Sequence, residues 1–431
     1  MPKVTLEYVA EKYRERDNLF MDLKWDEMLK KEEEFVEQCK ELASNKAMVL
    51  SLPMFLNTEK KSLADELVWD IGAYIVVLSK NEDVWRKLDK RMLIPSLAIS
   101  KLDENMQKYY INKKIEVKNS IGVTRLITDN NYVEYIPEII ENMNKKDDIR
   151  EKYSFFEMLA LFKQEQFYPM FIDAFKNEEK ASKKETLAYR LLNAPLPQVW
   201  EYYQDKISQE DDEAHEFFNV VASYGSPADW EYIEKLVENS WENSEALIMI
   251  AYNLGDFGYV GGFELYLKML KHSDEEVRKI YHKLMCNFFY TDEDFLEEAG
   301  KIEDFESKTL LEFWNSKKEY IENSLDKDVH LWNGEPFDLL KVAEYKGASS
   351  VIGELNYAVE SLRFWTGENF AFDSDALYKR QFEQYEAIKQ WLRDNKDRFP
   401  AGRWYRWGVD VTNGYDEEIK SIKEQKCQYH R

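Results

Sequence analysis

Five segments of the chain open alike and recur at nearly constant spacing: YIPEIIENM from Tyr135, YPMFIDAF from Tyr168, VWEYYQDKI from Val199, DWEYIEKLV from Asp229 and GFELYLKML from Gly262. With Pro137, Pro169, Trp200, Trp230 and Phe263 taken as equivalent, the steps are 32, 31, 30 and 33 residues. Two helices of about a dozen residues, joined by two short turns, fill a step of that length. The intervening stretches Arg150–Phe162, Lys184–Leu192, Glu213–Tyr224, Ser244–Leu254 and Glu275–Phe288 supply the second helix of each pair. One pair cannot bury both of its apolar stripes alone, so each stacks on the next and the core becomes continuous. The fold expected is all-α, a stack of helix hairpins.

Local patterning agrees with that expectation. In DWEYIEKLVEN, Trp230, Ile233, Leu236 and Val237 fall on one helical face, while Glu231, Glu234, Lys235 and Glu238 take the other. FFEMLALF at Phe155–Phe162 is apolar nearly all round, as an inner helix of a stack must be. Fifteen Gly and ten Pro in 431 residues are too few for the many tight turns of an all-β fold. Gly255–Gly262, with YVGG at its end, is Gly-rich but lacks the Lys and the preceding strand of a phosphate cradle. It reads as a turn between repeats.

The regular array covers residues 131–290. Residues 1–130 form a helical N-terminal region of divergent or capping repeats, with helices at Leu19–Leu42 and Leu63–Ser79. Residues 291–412 hold further repeats and an aromatic-rich cap, in which Trp332 and Phe337 of the loop His330–Asp338 turn inward. Residues 413–431 are a polar tail.

Family resemblance enters at Leu265–Leu284, LYLKMLKHSDEEVRKIYHKL, which resembles a HEAT repeat. Leu267 and Leu270 lie on the first helix, Ser273 and Asp274 in the turn, Val277 and Arg278 early in the second helix. In that family the turn Asp and the helix Arg form a ladder along the stack, and Asp274 and Arg278 match those positions. The other four repeats have no Asp-x-x-Val-Arg. Further on, LRFWTGENFAFD at Leu362–Asp373, followed by Trp391, Asn395 and Phe399–Arg403, looks like the ending of many bacterial HEAT-repeat proteins. Here the gap from Asp373 to Trp391 is longer than in that ending, and Leu392 stands where a second Trp is common. The resemblance implies a right-handed α-α superhelix of the HEAT/ARM-like (armadillo-like) solenoid kind, and supplies little chemistry.

The residues themselves argue against several activities. Fifty-nine Lys and Arg stand against 83 Asp and Glu, a net of −24, and a field of that sign repels nucleic-acid phosphates. Cys39, Cys286 and Cys427 form no CxxC pair, which argues against a zinc ribbon and a disulfide scaffold. His272 and His282 are ten apart and lack the spacing of a metal-binding helix; neither metal nor cofactor is expected. No GxSxG, Walker A or GxGxxG sequence occurs, and no catalytic residue is assigned. The N-terminus has no apolar h-region, and the longest apolar run, Val68–Leu78, is broken by Asp70. A cytoplasmic protein without membrane contact is expected.

One patch stands apart. RFPAGRWYRW places Arg398, Arg403 and Arg406 beside Trp404 and Trp407 in an otherwise acidic chain, the residue types that anchor binding hot spots. An alternative role is structural, with the aromatics capping the stack and the arginines pairing with neighbouring acids. Two function classes follow. The first is a non-catalytic scaffold or adaptor that grips a protein with a basic surface, in one version an immunity-type protein neutralising a basic effector. The second is an enzyme acting on nucleic acid or a small molecule through a groove in the stack, for which HEAT-like DNA glycosylases are a precedent.

Overall fold

The computed structural model describes residues 9–15, 25–56, 63–89, 96–113, 120–208, 225–288, 293–324, 329–332, 334–347 and 352–415. The expected helix Glu213–Tyr224, residues 19–24 of Leu19–Leu42, 114–119 and the tail beyond 415 lie outside these residues. So do His215, Cys427 and His430. The described residues are mostly helical, with almost no strand. It divides into two compact units. One comprises Met1–Phe162, Tyr345–Val359 and Asn369–Trp391; the other comprises Lys163–Glu344, Glu360–Glu368 and Leu392–Arg431. Neither division falls at residue 130 or 290.

In the first unit every second helix touches the next but one. Trp25–Ser44 packs on Leu63–Leu78, that helix on Ser96–Ser100, that on Ser120–Asp129, and that on Ile149–Leu161. The apolar run read in the last of these behaves as its composition demands. Phe155, Phe156, Met158, Leu159, Ala160 and Leu161 are all buried. Phe35 stacks on Tyr74, 5.9 Å between centroids, and the Tyr110 hydroxyl donates to the Val77 carbonyl at 2.6 Å. Glu32 is 2% exposed, and its two carboxylate oxygens accept from the main-chain N–H groups of Tyr378 and Lys379, each at 2.9 Å. Those donors open the helix Tyr378–Asp394, where free N–H groups and the helix dipole both favour an anion.

The second unit repeats a local device. A three-residue 3-10 turn leads into each first helix that it precedes: Glu165–Phe167 into Tyr168–Asn177, Pro227–Asp229 into Trp230–Asn239, and Val260–Gly262 into Phe263–Met269. Val133–Tyr135 leads into Ile136–Asn144 in the same way within the first unit. Pro137 and Pro169 sit in the first turn of their helices, where the missing N–H costs no hydrogen bond. First helices pack side by side, Tyr168–Asn177 on Pro197–Ser208 and Pro197–Ser208 on Trp230–Asn239; the second helices Ser244–Phe257 and Glu275–Asn287 do the same. On Trp230–Asn239, Ile233, Leu236 and Val237 are fully buried and Glu231, Glu234, Lys235 and Glu238 are exposed, as read from the sequence, while Trp230, read onto the buried face, is half-buried.

The Gly-rich stretch Gly255–Gly262 runs from the last turn of one helix through a turn at Gly258 into the 3-10 turn before the next. Gly258 closes Ser244–Phe257 at φ 66°, and a Cβ there would lie 2.1 Å from the Leu331 carbonyl oxygen. Two short antiparallel hairpins complete the unit, Leu331–Trp332 with Glu335–Pro336 and Tyr405–Arg406 with Val409–Asp410. No helix among the described residues is long and apolar enough to cross a membrane.

Candidate binding surface

The residues of RFPAGRWYRW come together in the second unit, but most of them face inward. Trp404 is fully buried; its indole N–H donates to the Phe257 carbonyl at 2.9 Å, and its ring stacks on His330 at 4.7 Å. His330 in turn stacks on Phe337 at 4.2 Å, so Phe337 does turn inward, whereas Trp332 is half-buried. The Trp407 indole N–H donates to the Leu192 carbonyl at 2.6 Å. Arg406 is 5% exposed, its guanidinium lies 5.2 Å from the centroid of Phe364, and it donates to the carbonyls of Tyr405 and Gly225 at 2.8 and 3.3 Å. Burial lowers its pKa, and the nearby Tyr415 and Asp229 oppose that shift.

Trp404, Arg406 and Trp407 therefore hold the segment to the helix hairpins and present no anchor to a partner. Both indole N–H groups end on main-chain carbonyls, the Arg406 guanidinium donates to two more, and the rings are buried. Arg398 and Arg403 remain exposed, but each has an acid beside it, Glu368 at 3.7 Å and Asp410 at 4.0 Å. Of the two roles read for this segment, the burial of Trp404, Arg406 and Trp407 agrees with the structural one, while Arg398 and Arg403 stay at the surface.

Asp274, Val277 and Arg278 also occupy structural places. The Asp274 carboxylate caps Glu275–Asn287 by accepting from the Glu276 N–H at 2.8 Å. A side-chain hydrogen bond from Ser244 is the first cause of its lowered pKa, followed by that capping bond. Val277 is fully buried. Arg278 donates to the carbonyls of His272, Ser273 and Phe305 at 2.6, 2.7 and 2.7 Å. Asp274 is thus tied back to Ser244, and Arg278 ties the turn at His272 and Ser273 to Phe305. Asp274 and Arg278 form no ion pair with each other among the described residues.

The histidines and cysteine of the second unit serve packing. His282 and Cys286 lie one turn apart on Glu275–Asn287, with Nε2 3.8 Å from Sγ. Burial pushes the thiol up to about 12 and the imidazole down, so at neutral pH both are uncharged. His282 Nδ1 accepts the Trp314 indole N–H at 2.9 Å, fixing the ring as a packing element. His272 Nδ1 accepts from the Asp274 N–H at 3.1 Å, and its Nε2 lies 2.9 Å from the Trp241 carbonyl. Among the described residues no three His, Cys, Asp or Glu side chains converge on a metal site.

Large apolar side chains are exposed elsewhere, among them Leu50, Val133, Ile149 and Tyr357 singly and Met249 with Tyr252 on one helix. Helix Ser244–Phe257 buries Leu247, Ile250, Ala251 and Leu254, the i, i+3, i+4, i+7 stripe that faces a core. Met249 and Tyr252 fall outside that stripe and are 51% and 59% exposed. Glu245 lies on the same outer face, four and seven residues before them, and is exposed too. Tyr189, 54% exposed, stands near the end of another second helix, Ala181–Arg190. The sequence carried a signal for this surface. SEALIMIAYNLGDF holds more apolar positions than one buried stripe accommodates.

No protein family, no curated protein and no solved structure matches this chain.

Proposed function

We propose that the chain is a non-catalytic scaffold of HEAT-like stacked hairpins that grips a protein partner with a basic surface. The observation that carries this reading is the exposed pair Met249 and Tyr252, held on a rigid helix with Glu245 on the same face. Met and Tyr bury large area at little entropic cost when a partner covers them. The excess of acids, net −24, favours encounter with a basic protein and disfavours nucleic acid. An adaptor or immunity-type protein that neutralises a basic effector in the cytoplasm is the specific form of this proposal. The resemblance of Leu265–Leu284 to a HEAT repeat supports the solenoid arrangement, and the side-by-side packing of successive second helices agrees with it.

The experiment is affinity capture of the tagged full chain from its host at low and moderate salt, run in parallel with Met249→Ala/Tyr252→Ala. One basic protein, recovered in near-equal amount by the parent and lost both with salt and with the variant, supports the reading. Equal recovery by the variant contradicts it.

A further inference from the structure

A pocket of about 190 Å³ opens in the second unit among Tyr168–Asn177, Ala181–Arg190 and Pro197–Ser208. Its wall is aromatic. Phe175 and Tyr202 meet edge to face, 5.3 Å apart at 90°, and Ile172 and Val199 extend the apolar lining. Helical spacing puts these groups together: Ile172, Phe175 and Lys176 lie at i, i+3 and i+4 on one helix, and Val199 and Tyr202 at i and i+3 on the next.

Two ammonium groups stand at this wall. Lys184 Nζ lies 4.6 Å from the Tyr202 ring centroid and 5.3 Å from that of Phe175. Lys176 is exposed and makes no hydrogen bond or ion pair among the described residues. Among the described residues neither lysine holds a carboxylate, in a chain with 24 more acids than bases. Elsewhere in the same unit Lys268, Lys279 and Lys318 each hold a glutamate at 2.7–2.8 Å. The pKa of Lys184 is lowered by burial first and by Lys206 second, with Glu178 opposing. An anion beside it would relieve that strain.

We infer that this pocket is a binding site for a small carboxylate with an aromatic body: Phe175 and Tyr202 take the body, and Lys176 and Lys184 take the carboxylate. The volume is below the roughly 300–1,000 Å³ of a drug-sized site, which limits the ligand to a molecule the size of one amino acid. The inference does not depend on the protein-binding role, since Met249 and Tyr252 lie on a different helix.

The test titrates the full chain with 3-phenylpropionate, 3-phenylpropionamide and 3-phenylpropylamine, read by saturation-transfer NMR and calorimetry. The acid binds, the neutral amide binds about tenfold or more weakly, and the amine weakest, because only the acid makes charge-assisted contacts with the lysines. Lys176→Met/Lys184→Met keeps the apolar stems and loses the acid by about tenfold or more, whereas Lys176→Arg/Lys184→Arg retains it. The inference is overturned if the acid shows no binding at about 10 mM. It is equally overturned if the parent binds acid and amide alike, a comparison that needs no variant to fold, or if a Met double variant of unchanged circular dichroism keeps the acid.

Discussion

The imidazole of His330 lies 4.7 Å from the indole of Trp404 with their planes 11° apart, and the Trp404 N–H ends on the Phe257 carbonyl. The hairpin that carries Trp404 is thereby fixed to the end of Ser244–Phe257. Trp404→Ala removes a fully buried indole and costs about 3–5 kcal/mol. Trp404→Phe keeps most of the packing and loses the hydrogen bond, at about 1 kcal/mol. Urea unfolding followed by circular dichroism checks both, and an alanine variant as stable as the parent would sink the structural role assigned to this residue.

Arg278 donates to three carbonyls, two in the turn before its own helix and one at Phe305. Arg278→Met keeps the stem and leaves those oxygens without their donor, which costs about 2–3 kcal/mol. Arg278→Lys restores the charge but not the planar fork that spans His272, Ser273 and Phe305, so it recovers less than half of the loss. Matching stabilities for the Lys variant and the parent would argue that charge alone acts here.

Lys163 gives a pH dependence of defined sign. Burial lowers its ammonium to about 7; Glu368 opposes that shift and Arg363 adds to it. Between about 7 and the ordinary lysine value of about 10.4, the unfolded chain holds a proton that the folded chain has released. Stability contributed through this group therefore rises with pH across that window, and the penalty of burying the charge is complete below it. Lys163→Met, which has no such charge, is the more stable protein at pH 6.5 by roughly 1 kcal/mol or more, and the difference closes toward pH 10. Thermal midpoints of the two proteins across that range decide the matter; parallel curves would refute the assignment.

The sequence made the helical hairpins legible because their signal is local. Ile233, Leu236 and Val237 declare a buried face by spacing alone, and Pro137 and Pro169 mark helix starts by chemistry that needs no tertiary context. The role of RFPAGRWYRW was left open between a binding anchor and a structural cap. An arginine flanked by aromatics fits either, and only the fold brings Phe364 and the Gly225 carbonyl to Arg406. Its partners lie 42 and 181 residues away. The cap on Tyr378–Asp394 was hidden for the same reason, since Glu32 is 346 residues from the N–H it accepts. Met249 and Tyr252 lay in plain view, but an apolar run reads as core until the depth of its stripe is known.

Gly258 tests the turn between repeats. At φ 66° with a carbonyl 2.1 Å from any added Cβ, Gly258→Ala must move the Leu331 strand or its own helix end. A loss of about 1–3 kcal/mol is expected. An unchanged unfolding midpoint would mean that the turn relaxes freely.

The central claim is that the outer face of Ser244–Phe257 grips a basic protein. Its most direct measurement is the affinity of the captured partner for the parent and for Met249→Ala/Tyr252→Ala, each at about 0.05 and 0.3 M salt. The account predicts a partner that weakens as salt rises, and a variant that binds at least about tenfold more weakly at both salts while keeping the parent's unfolding midpoint. A partner bound equally by both proteins, or one whose affinity ignores salt, would contradict it.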